Sequence, residues 1–343
     1  MVDITIRGAG IFGLSIAWSC AQRGASVRIV DPNGAASGSS GGIVGALAPH
    51  VPENWNAKKA FQLESLLMAQ RFWTEVEAVG GLDAGYVRAG RLQPIADEAA
   101  LVLARQRAES AAQLWYDQAS WQVRRASGAE WEPLSPSGWL IEDDLSAHIH
   151  PRLACAALVA ALRCSGVEVE AEAPDRGRVV WATGTAGLEA LNAGHSRQVG
   201  IGIKGQAALL AHDAGKVPQL FAGGVHVIPH GDGTVAVGST TEREFTSAAT
   251  TDRQIDAVIE AARKAVPVLR RAEVIETWAG LRPRARSRAP MLGPWPGHEG
   301  HYIANGGFKI GFGMAPKVAQ VMADLLLEDR DNIPEGFRVE DSL

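Results

Sequence analysis

The opening of the chain alternates between strand-like and helix-like hydrophobic patterns. Residues 4–6 place apolar side chains at alternate positions, which is typical of a β-strand. Residues 14–23 carry apolar side chains at helical spacing, and residues 26–30 form a second strand pattern that ends at Asp31. The order of these patterns predicts a β-α-β unit with an acidic residue at the end of its second strand.

Three glycines lie between the first strand and the helix of this unit, in the pattern GxGxxG. Gly8 permits a tight turn, Gly10 lets a diphosphate approach the backbone, and Gly13 lets the helix pack closely on the strand. The helix N-terminus offers N–H groups and a partial positive charge to the diphosphate, and Asp31 can accept hydrogen bonds from a ribose. The unit predicts a dinucleotide site but does not separate FAD from NAD. A loop of small residues at 35–42 follows, and such a loop can wrap closely around a long cofactor.

Hydrophobic periodicity predicts further elements along the chain. Residues 178–184 form a buried strand pattern that ends in a small-residue turn, and the alternation at 226–229 and 234–238 predicts a β-hairpin. Thr251 and Gln254 have the spacing of a capping box at the start of a helix. Helices are predicted at residues 58–79, 98–115, 151–163, 252–266 and 315–327.

Composition narrows the class of protein. A chain of 343 residues with 46% hydrophobic and 21% charged residues is typical of a globular protein with about two domains. The net charge of −5 gives no basic surface for nucleic acid or for an anionic membrane, so neither is expected as a partner. No apolar run is long enough to span a membrane and no signal-peptide pattern is present, so we expect a cytoplasmic protein. A homo-oligomer is left open.

The cysteines and histidines predict no metal site. The chain has three cysteines, Cys20, Cys155 and Cys164, and none forms a CxxC pair or belongs to a Cys/His group with metal-ligand spacing. We expect reduced thiols, buried where the surrounding pattern is apolar, in a reducing compartment.

Short motifs from both ends and the middle of the chain resemble the D-amino-acid-oxidase-like FAD oxidoreductases, most closely the glycine oxidase and sarcosine oxidase branch. The resemblance covers nearly the whole chain, and the order of the motifs makes it specific. The motifs are Gly8-x-Gly10-x-x-Gly13, Ala36-Ser37-Gly38-x-Ser40, Ala182-Thr183-Gly184, Gly205-Gln206, Val227-Ile228-Pro229, Gly238-Ser239-Thr240, Trp278-Ala279-Gly280-Leu281-Arg282-Pro283, and Gly306 through Ala315-Pro316.

The resemblance implies an α/β (α+β) fold with two interleaved domains. A Rossmann-like FAD-binding domain of the GR2 type would combine residues 1–80, 150–195 and 280–343. A substrate domain built on a large antiparallel sheet would combine residues 81–149 and 196–279. The cofactor implied is non-covalent FAD, because no cysteine lies beyond Cys164 at the position that some sarcosine oxidases use for covalent attachment.

The activity implied is oxidation of the C–N bond of a small amino acid or secondary amine. Hydride transfer to the flavin would give an imine and, in an oxidase, hydrogen peroxide. Alternatives left open are an amino-acid dehydrogenase with an electron acceptor other than oxygen, a tRNA-modifying FAD oxidoreductase and a flavin-binding protein without catalysis. The net charge counts against the tRNA-modifying enzyme, and Arg282 counts against the protein without catalysis.

The resemblance also implies the catalytic residues. Arg282 corresponds to the arginine that binds the substrate carboxylate, a task that suits the fork of a guanidinium. His226 lies where the oxidases often have a tyrosine, which puts glycine itself in doubt as the substrate. Lys309 corresponds to a basic residue beside the flavin. Positive charge around Ser287 and Arg288, in place of the family's usual acid, favours a substrate with a second anionic group.

Arginines recur at alternate positions after Arg282, namely Arg284, Arg286 and Arg288, and on a continuous strand all four side chains would lie on one face. The cofactor-binding residues implied by the resemblance and by the glycine-rich unit are Gly8, Gly10, Ile11, Phe12, Gly13, Asp31, Pro32, Ser37, Ser39, Ser40, Gly41, Ala46, Leu47, Ala182, Thr183, Gly184, Arg282, Gly307, Phe308, Lys309, Ile310 and Gly311.

Overall fold

The computed structural model describes residues 2–343, and this part of the chain forms two large β-sheets with helices packed on them. Met1, the first residue of the predicted segment 1–80, lies outside the described residues. The helices are α1 (Ile11–Gln22), α2 (Ala57–Gly80), α3 (Glu98–Leu114), α4 (Pro151–Cys164), α5 (Gly184–Gly194), α6 (Gln254–Ala265) and α7 (Gly311–Glu328). The strands are β1 (Ile4–Arg7), β2 (Val27–Val30), β3 (Ala46–Leu47), β4 (Arg91–Pro94), β5 (Trp121–Arg125), β6 (Trp139–Asp143), β7 (Ala147–His148), β8 (Val169–Glu170), β9 (Arg178–Trp181), β10 (Gly200–Ala211), β11 (Gln219–Ala222), β12 (Val225–Pro229), β13 (Thr234–Gly238), β14 (Val274–Ala285), β15 (Met291–Pro294) and β16 (His301–Asn305).

The first sheet has the strand order β15-β16-β9-β1-β2-β8 and is parallel except for β15. β1 lies in its interior, where Ile4 is opposite both Val27 of β2 and Arg178 of β9. The apolar side chains of α1 and α7 are buried in one core with those of α2, α4 and this sheet. Because parallel strands end at the same edge of a sheet, the loops after β1, β2 and β9 meet there, which is where open α/β sheets bind ligands.

The second sheet has eight strands in the order β14-β10-β13-β12-β11-β4-β6-β5. Its neighbours are antiparallel except β4 and β11, which are parallel. The longest pairing joins β10 and β14, and it runs from Gly200 opposite Ala285 to Leu210 opposite Val274. One face of this sheet is covered by α6, whose apolar residues pack into a second core. The fold-class prediction of a Rossmann-like unit combined with a large, mostly antiparallel sheet is confirmed.

The division of the chain into domains stays a prediction. The sequence predicts a boundary at residue 280, between the substrate segment and the last FAD-binding segment. In the structure β14 continues through this residue as one strand. The strands of the six-stranded sheet come from residues 4–30, 169–181 and 291–305, and those of the eight-stranded sheet come from 91–143 and 200–285.

Two helices begin earlier than the hydrophobic pattern predicts. α1 begins at Ile11 rather than at residue 14, and α7 begins at Gly311 rather than at residue 315. Pro316 lies inside α7, more than one turn from its start, so its missing N–H removes the helical hydrogen bond to the carbonyl of Phe312. Glycines hide a helix start from pattern analysis, because they add no apolar side chain. Both shifts move a helix N-terminus closer to a glycine-rich loop.

The predicted capping box of α6 is wrong. The helix begins at Gln254, and the acceptor for its N–H group is Asp252 Oδ1 at 2.9 Å. The hydroxyl of Thr251 lies 3.2 Å from that of Thr277 instead. A carboxylate in this position is a stronger acceptor than a hydroxyl, so it takes the place of the threonine.

Replacing Gly13 by alanine should destabilise the fold. A Cβ atom at this position would lie 1.9 Å from the carbonyl oxygen of Gly8, a backbone atom that cannot move aside without opening the turn. We expect Gly13→Ala to lower the free energy of unfolding by about 1–3 kcal/mol or more. Gly194→Ala is the matched control, because its Cβ would meet no atom within 4 Å. Urea unfolding followed by circular dichroism measures both, and an unchanged Gly13→Ala midpoint would contradict the packing.

Candidate active site

The turn between β1 and α1 is fixed by contacts to two neighbouring strand ends. Gly8 has a φ of +106°, and a Cβ on it would lie 2.4 Å from the carbonyl oxygen of Ala182, just after β9. The N–H of Ala9 donates to Asp31 Oδ2 at 2.8 Å, just after β2. Three predicted cofactor residues therefore lie together. Asp31 also has a structural role that sequence reasoning did not identify, because it holds the glycine turn itself.

Gly10 has a different reason to be glycine. Its φ of −83° and ψ of −178° are open to any residue, so the backbone does not require it. A Cβ there would approach only Ser40, with Oγ at 3.1 Å. The same Ser40 Oγ accepts the N–H of Ile11 at 3.0 Å, at the start of α1. The missing side chain leaves open space beside a helix N-terminus, which fits the approach of a diphosphate.

A second helix N-terminus meets the first at this place. A Cβ on Gly307 would lie 2.9 Å from Cζ of Phe12, and one on Gly311 would lie 3.6 Å from Ile11. Phe308 has a φ of +45°, which turns the chain into α7. The partial positive ends of α1 and α7 therefore act on the same region, which favours a bound anion.

The other predicted cofactor residues lie on the loops around this region. Gly41 is the last residue of a short 3₁₀ helix, Ser39–Gly41, and its carbonyl oxygen accepts a hydrogen bond from Nε of Arg152 at 2.9 Å. Leu47 lies beside α7, with its Cα 3.9 Å from the position of a Cβ on Gly313. Contacts of these loops with FAD stay predictions. The remaining members of the predicted set are Pro32, Ser37, Ala46, Thr183, Gly184 and Ile310.

Arg282 places a buried positive charge in the candidate substrate site. It lies on β14 with 8% of its surface exposed, and its Nη2 donates to Ser239 Oγ at 2.8 Å and to the carbonyl oxygen of Thr240 at 3.1 Å. Within residues 2–343 no carboxylate forms a salt bridge with it, and its Nη1 has no hydrogen-bond partner. Burial lowers the pKa of Arg282 to about 10, and the charge of Glu242 partly opposes that shift. The guanidinium is therefore held in place with one donor group free.

His226 and Lys309 converge on the segment that supports Arg282. His226 on β12 is opposite Gly238 of β13, the residue before Ser239. Lys309 Nζ donates to Thr241 Oγ1 at 2.7 Å. Burial, and then the neighbouring charge of Arg282, lower the pKa of Lys309. All three residues predicted as catalytic thus border residues 238–241.

The Gly205-Gln206 motif makes room for the guanidinium. A Cβ on Gly205 would lie 1.4 Å from Nη2 of Arg282, so only glycine leaves that space free. Gln206 Nε2 donates to Glu242 Oε1 at 3.0 Å, and Glu242 lies 3.6 Å from the buried Lys204. Sequence reasoning recognised the motif but did not identify Glu242 or Lys204. The signal that was available is a lysine in the middle of a long apolar strand.

Only two of the four arginines at alternate positions lie on β14. Arg284 shares β14 with Arg282, and its guanidinium carbon lies 5.5 Å from the ring of Phe308. β14 ends at residue 285, after which Arg286 donates to the carbonyl oxygen of Leu343 and Arg288 adopts a φ of +59°. The prediction that four arginines share one strand face is wrong, because the strand stops before the last two.

The imidazole of His226 should make the fold sensitive to acid. Burial, and then the positive charges of Arg91, Lys309 and Arg282, lower its pKa to about 4. An unfolded histidine titrates near 6.5, so the unfolded chain binds more protons between pH 6.5 and pH 4. The stability supplied by the neutral ring is therefore lost as the pH falls through that window.

The variant His226→Gln removes this titration. We expect the difference in unfolding free energy between pH 7 and pH 4.5 to shrink by up to about 3 kcal/mol in the variant. Urea unfolding at the two pH values measures it. Equal pH dependence in both proteins would show that the imidazole is not held neutral.

Gly10→Ala should separate cofactor binding from folding. The chain itself leaves room for the new methyl group, apart from a 3.1 Å approach to Ser40 Oγ. A diphosphate placed against the backbone would collide with it. We expect a folded protein whose bound flavin falls at least about tenfold at equal protein concentration, measured by absorbance after gel filtration. Full flavin content in Gly10→Ala would place the diphosphate elsewhere.

Comparison with known proteins agrees with this geometry. The profile of the DAO family, described as FAD dependent oxidoreductase, matches residues 3–325. The glycine oxidase of Pseudomonas putida is 35% identical over 125 residues, which cover 36% of this chain and about a third, 34%, of that enzyme. The glycine oxidase of Bacillus subtilis is 22% identical over 98% of this chain and 97% of its own.

A solved structure extends the similarity to the whole fold. The iminodiacetate oxidase of Chelativorans sp. BNC1 superposes with a TM-score of 0.85 at 23% identity, over 98% of both chains. None of the described helices is both long enough and apolar enough to cross a membrane. Because the family profile covers most of the sequence, the chain belongs to the DAO family of FAD-dependent oxidoreductases.

Proposed function

We propose that this protein oxidises the C–N bond of a small amino acid or secondary amine, and that Arg282 binds the carboxylate of the substrate. The observation that carries the proposal is the free Nη1 of a guanidinium that is buried without a carboxylate partner among the described residues. Burying such a charge is costly, and a substrate carboxylate would offset the cost with charge-assisted hydrogen bonds. The family of the chain supports the reaction class.

Different residues of the chain have different roles in the proposed reaction. The glycine turn at Gly8 and Gly10, the N-terminus of α1 and Asp31 would hold FAD, which when bound accepts two electrons and a hydrogen from the substrate carbon. Arg282 orients the substrate through its carboxylate. The positive charges of Arg282 and Lys309 also disfavour an ammonium group nearby, so they favour the neutral amine that the oxidation requires.

The electrostatics of the site favour a substrate with a second anionic group. Arg282 and Lys309 are close enough for the charge of one to lower the pKa of the other. One carboxylate neutralises only one of these two cations. The side chain of Lys309 donates a hydrogen bond to the hydroxyl group of Thr241, which carries no charge and so does not neutralise the lysine. An N-carboxymethyl amino acid, which carries two carboxylates, would satisfy both. We therefore propose such dicarboxylates ahead of glycine.

We propose a reducing compartment for this protein, supported by the state of its cysteine thiols. The three cysteines are free, two of them buried, and burial raises the pKa of Cys20 and Cys155 to about 12. Protonated, buried thiols support a reducing compartment such as the cytoplasm. The net charge of −5 supports a small-molecule substrate over a nucleic acid.

Substitution of Arg282 tests the proposal. The purified enzyme is mixed anaerobically with a panel of glycine, sarcosine, iminodiacetate and simple amines without a carboxylate, and bleaching of the flavin is followed. Loss of one partner of a buried ion pair costs about 3–5 kcal/mol, so Arg282→Ala should lower the efficiency of flavin reduction by two to three decades or more. Arg282→Lys should restore only part, because an ammonium cannot form two parallel hydrogen bonds.

Arg284→Ala is the matched control on the same strand, and it should leave flavin reduction within a few-fold of wild type. Flavin content should stay unchanged in all three variants, which separates a substrate defect from a cofactor defect. If the flavin of Arg282→Ala is reduced by the substrate as fast as the flavin of the wild type, Arg282 does not bind the substrate. If only amines without a carboxylate bleach the flavin, the amino-acid proposal fails.

A further inference from the structure

Three side chains from two separate parts of the chain meet beside the N-terminus of α4. His150 precedes α4, and His230 and Asp232 lie in the turn between β12 and β13. One ligand atom from each residue lies within 4.8 Å of those of the other two. The two imidazole rings have centroids 4.4 Å apart. Two imidazoles and a carboxylate form a donor set that divalent zinc-like cations prefer.

The side-chain contacts of His230 involve its Nδ1 and leave its Nε2 without a hydrogen-bond partner among residues 2–343. The hydroxyl of Thr234 donates to Asp232 Oδ1 at 2.6 Å, so its oxygen is left to accept from Nδ1 of His230, which lies 3.3 Å away. With the proton on Nδ1, the lone pair is on Nε2. That atom is buried and has no hydrogen-bond partner, and the residue is only 3% exposed. An unpartnered buried nitrogen is costly, and a cation would satisfy it.

The other two residues can adjust to a shared ion. Asp232 is exposed, and the contacts with Thr234 occupy Oδ1, which leaves Oδ2 available. His150 accepts the N–H of Leu153 through Nδ1 at 3.4 Å, a long and weak contact that leaves Nε2 outside it. Ligand atoms around a tetrahedral zinc ion are about 3.3 Å apart, so binding requires only a small inward movement of the exposed turn.

The nearest positive charge acts on His150 but is itself paired with a carboxylate. Arg152, the nearest positive side chain on α4, is paired with Glu276 at 2.6 Å. The carboxylate of Asp232 then balances part of the charge of the ion.

We infer that His150, His230 and Asp232 form a binding site for one first-row divalent cation of the zinc type. The ion would tie the turn between β12 and β13 to the N-terminus of α4. β12 also carries His226, so the ion would stiffen the strand that borders the substrate site without touching substrate.

Metal binding to the flavin-loaded, tag-free enzyme tests this inference. After treatment with a chelator, the protein is dialysed against Zn²⁺ or Co²⁺, and bound metal is counted per chain. We expect one ion per chain, a rise in melting temperature on adding Zn²⁺, and visible Co²⁺ bands at wavelengths beyond the flavin absorption. His150→Asn, His230→Asn and Asp232→Asn should each weaken binding at least about tenfold.

These variants keep the local hydrogen bonds. Asparagine at 150 retains a capping acceptor, asparagine at 230 retains a donor toward Thr234, and asparagine at 232 retains an acceptor on an exposed turn. The metal affinity of Asp232→Asn therefore tests the inference even if a histidine variant misfolds. His298→Asn is the matched control, because His298 and His301 form a second histidine pair, with ring centroids 6.4 Å apart. The inference is overturned if no ion binds, if His298→Asn removes the binding, or if Asp232→Asn leaves the affinity unchanged.

Discussion

A guanidinium buried to 8% exposure needs hydrogen bonds, and Arg282 obtains them from Ser239 and Thr240, while its Nη1 has no partner in the described part of the chain. Glu242 is the nearest opposite charge and is itself buried. Lys204 lies beside Glu242 and pairs with Asp252, whose side chain is 44% exposed. The signs alternate from the site outward, but the ion pairs begin only at Glu242 and Lys204, and the charge of Glu242 acts on Arg282 without a salt bridge.

The two sheets share the site through one strand and one loop. β14 carries Arg282 in the eight-stranded sheet, and its Pro283 carbonyl accepts the N–H of Phe308 at 2.9 Å. Arg284 and Gly307 form an isolated backbone bridge beside this bond. The loop that begins α7 is therefore fastened directly to the strand that holds the proposed substrate clamp. Backbone hydrogen bonds of this kind fix the distance between the proposed cofactor site and the proposed substrate site. Catalysis that depends on the orientation of the reactants requires such a fixed distance.

The parts of the site that could be predicted are those in which local sequence determines local geometry. The glycine turn and Asp31 follow from spacing alone, and Arg282 follows from a motif. The support of Arg282 by Glu242 depends on residues that meet only after the sheet has formed. The cluster of His150 and Asp232 is invisible to spacing rules for the same reason. The wrong helix start at residue 14 and the wrong capping box arose where a glycine or a competing carboxylate replaced the expected signal.

The empty side of Gly205 links two positions that are far apart in the chain. Any other residue at 205 would place an atom 1.4 Å from Nη2 of Arg282, so the arginine could remain in the sequence and still be unable to occupy its place. The place that Arg282 occupies therefore depends on both residues. Under the proposed role of Arg282, a change of either residue would remove the carboxylate clamp, and a chain that has changed both would need both restored. Gly205 is thus a second position, beside the arginine itself, on which the proposed mode of binding depends.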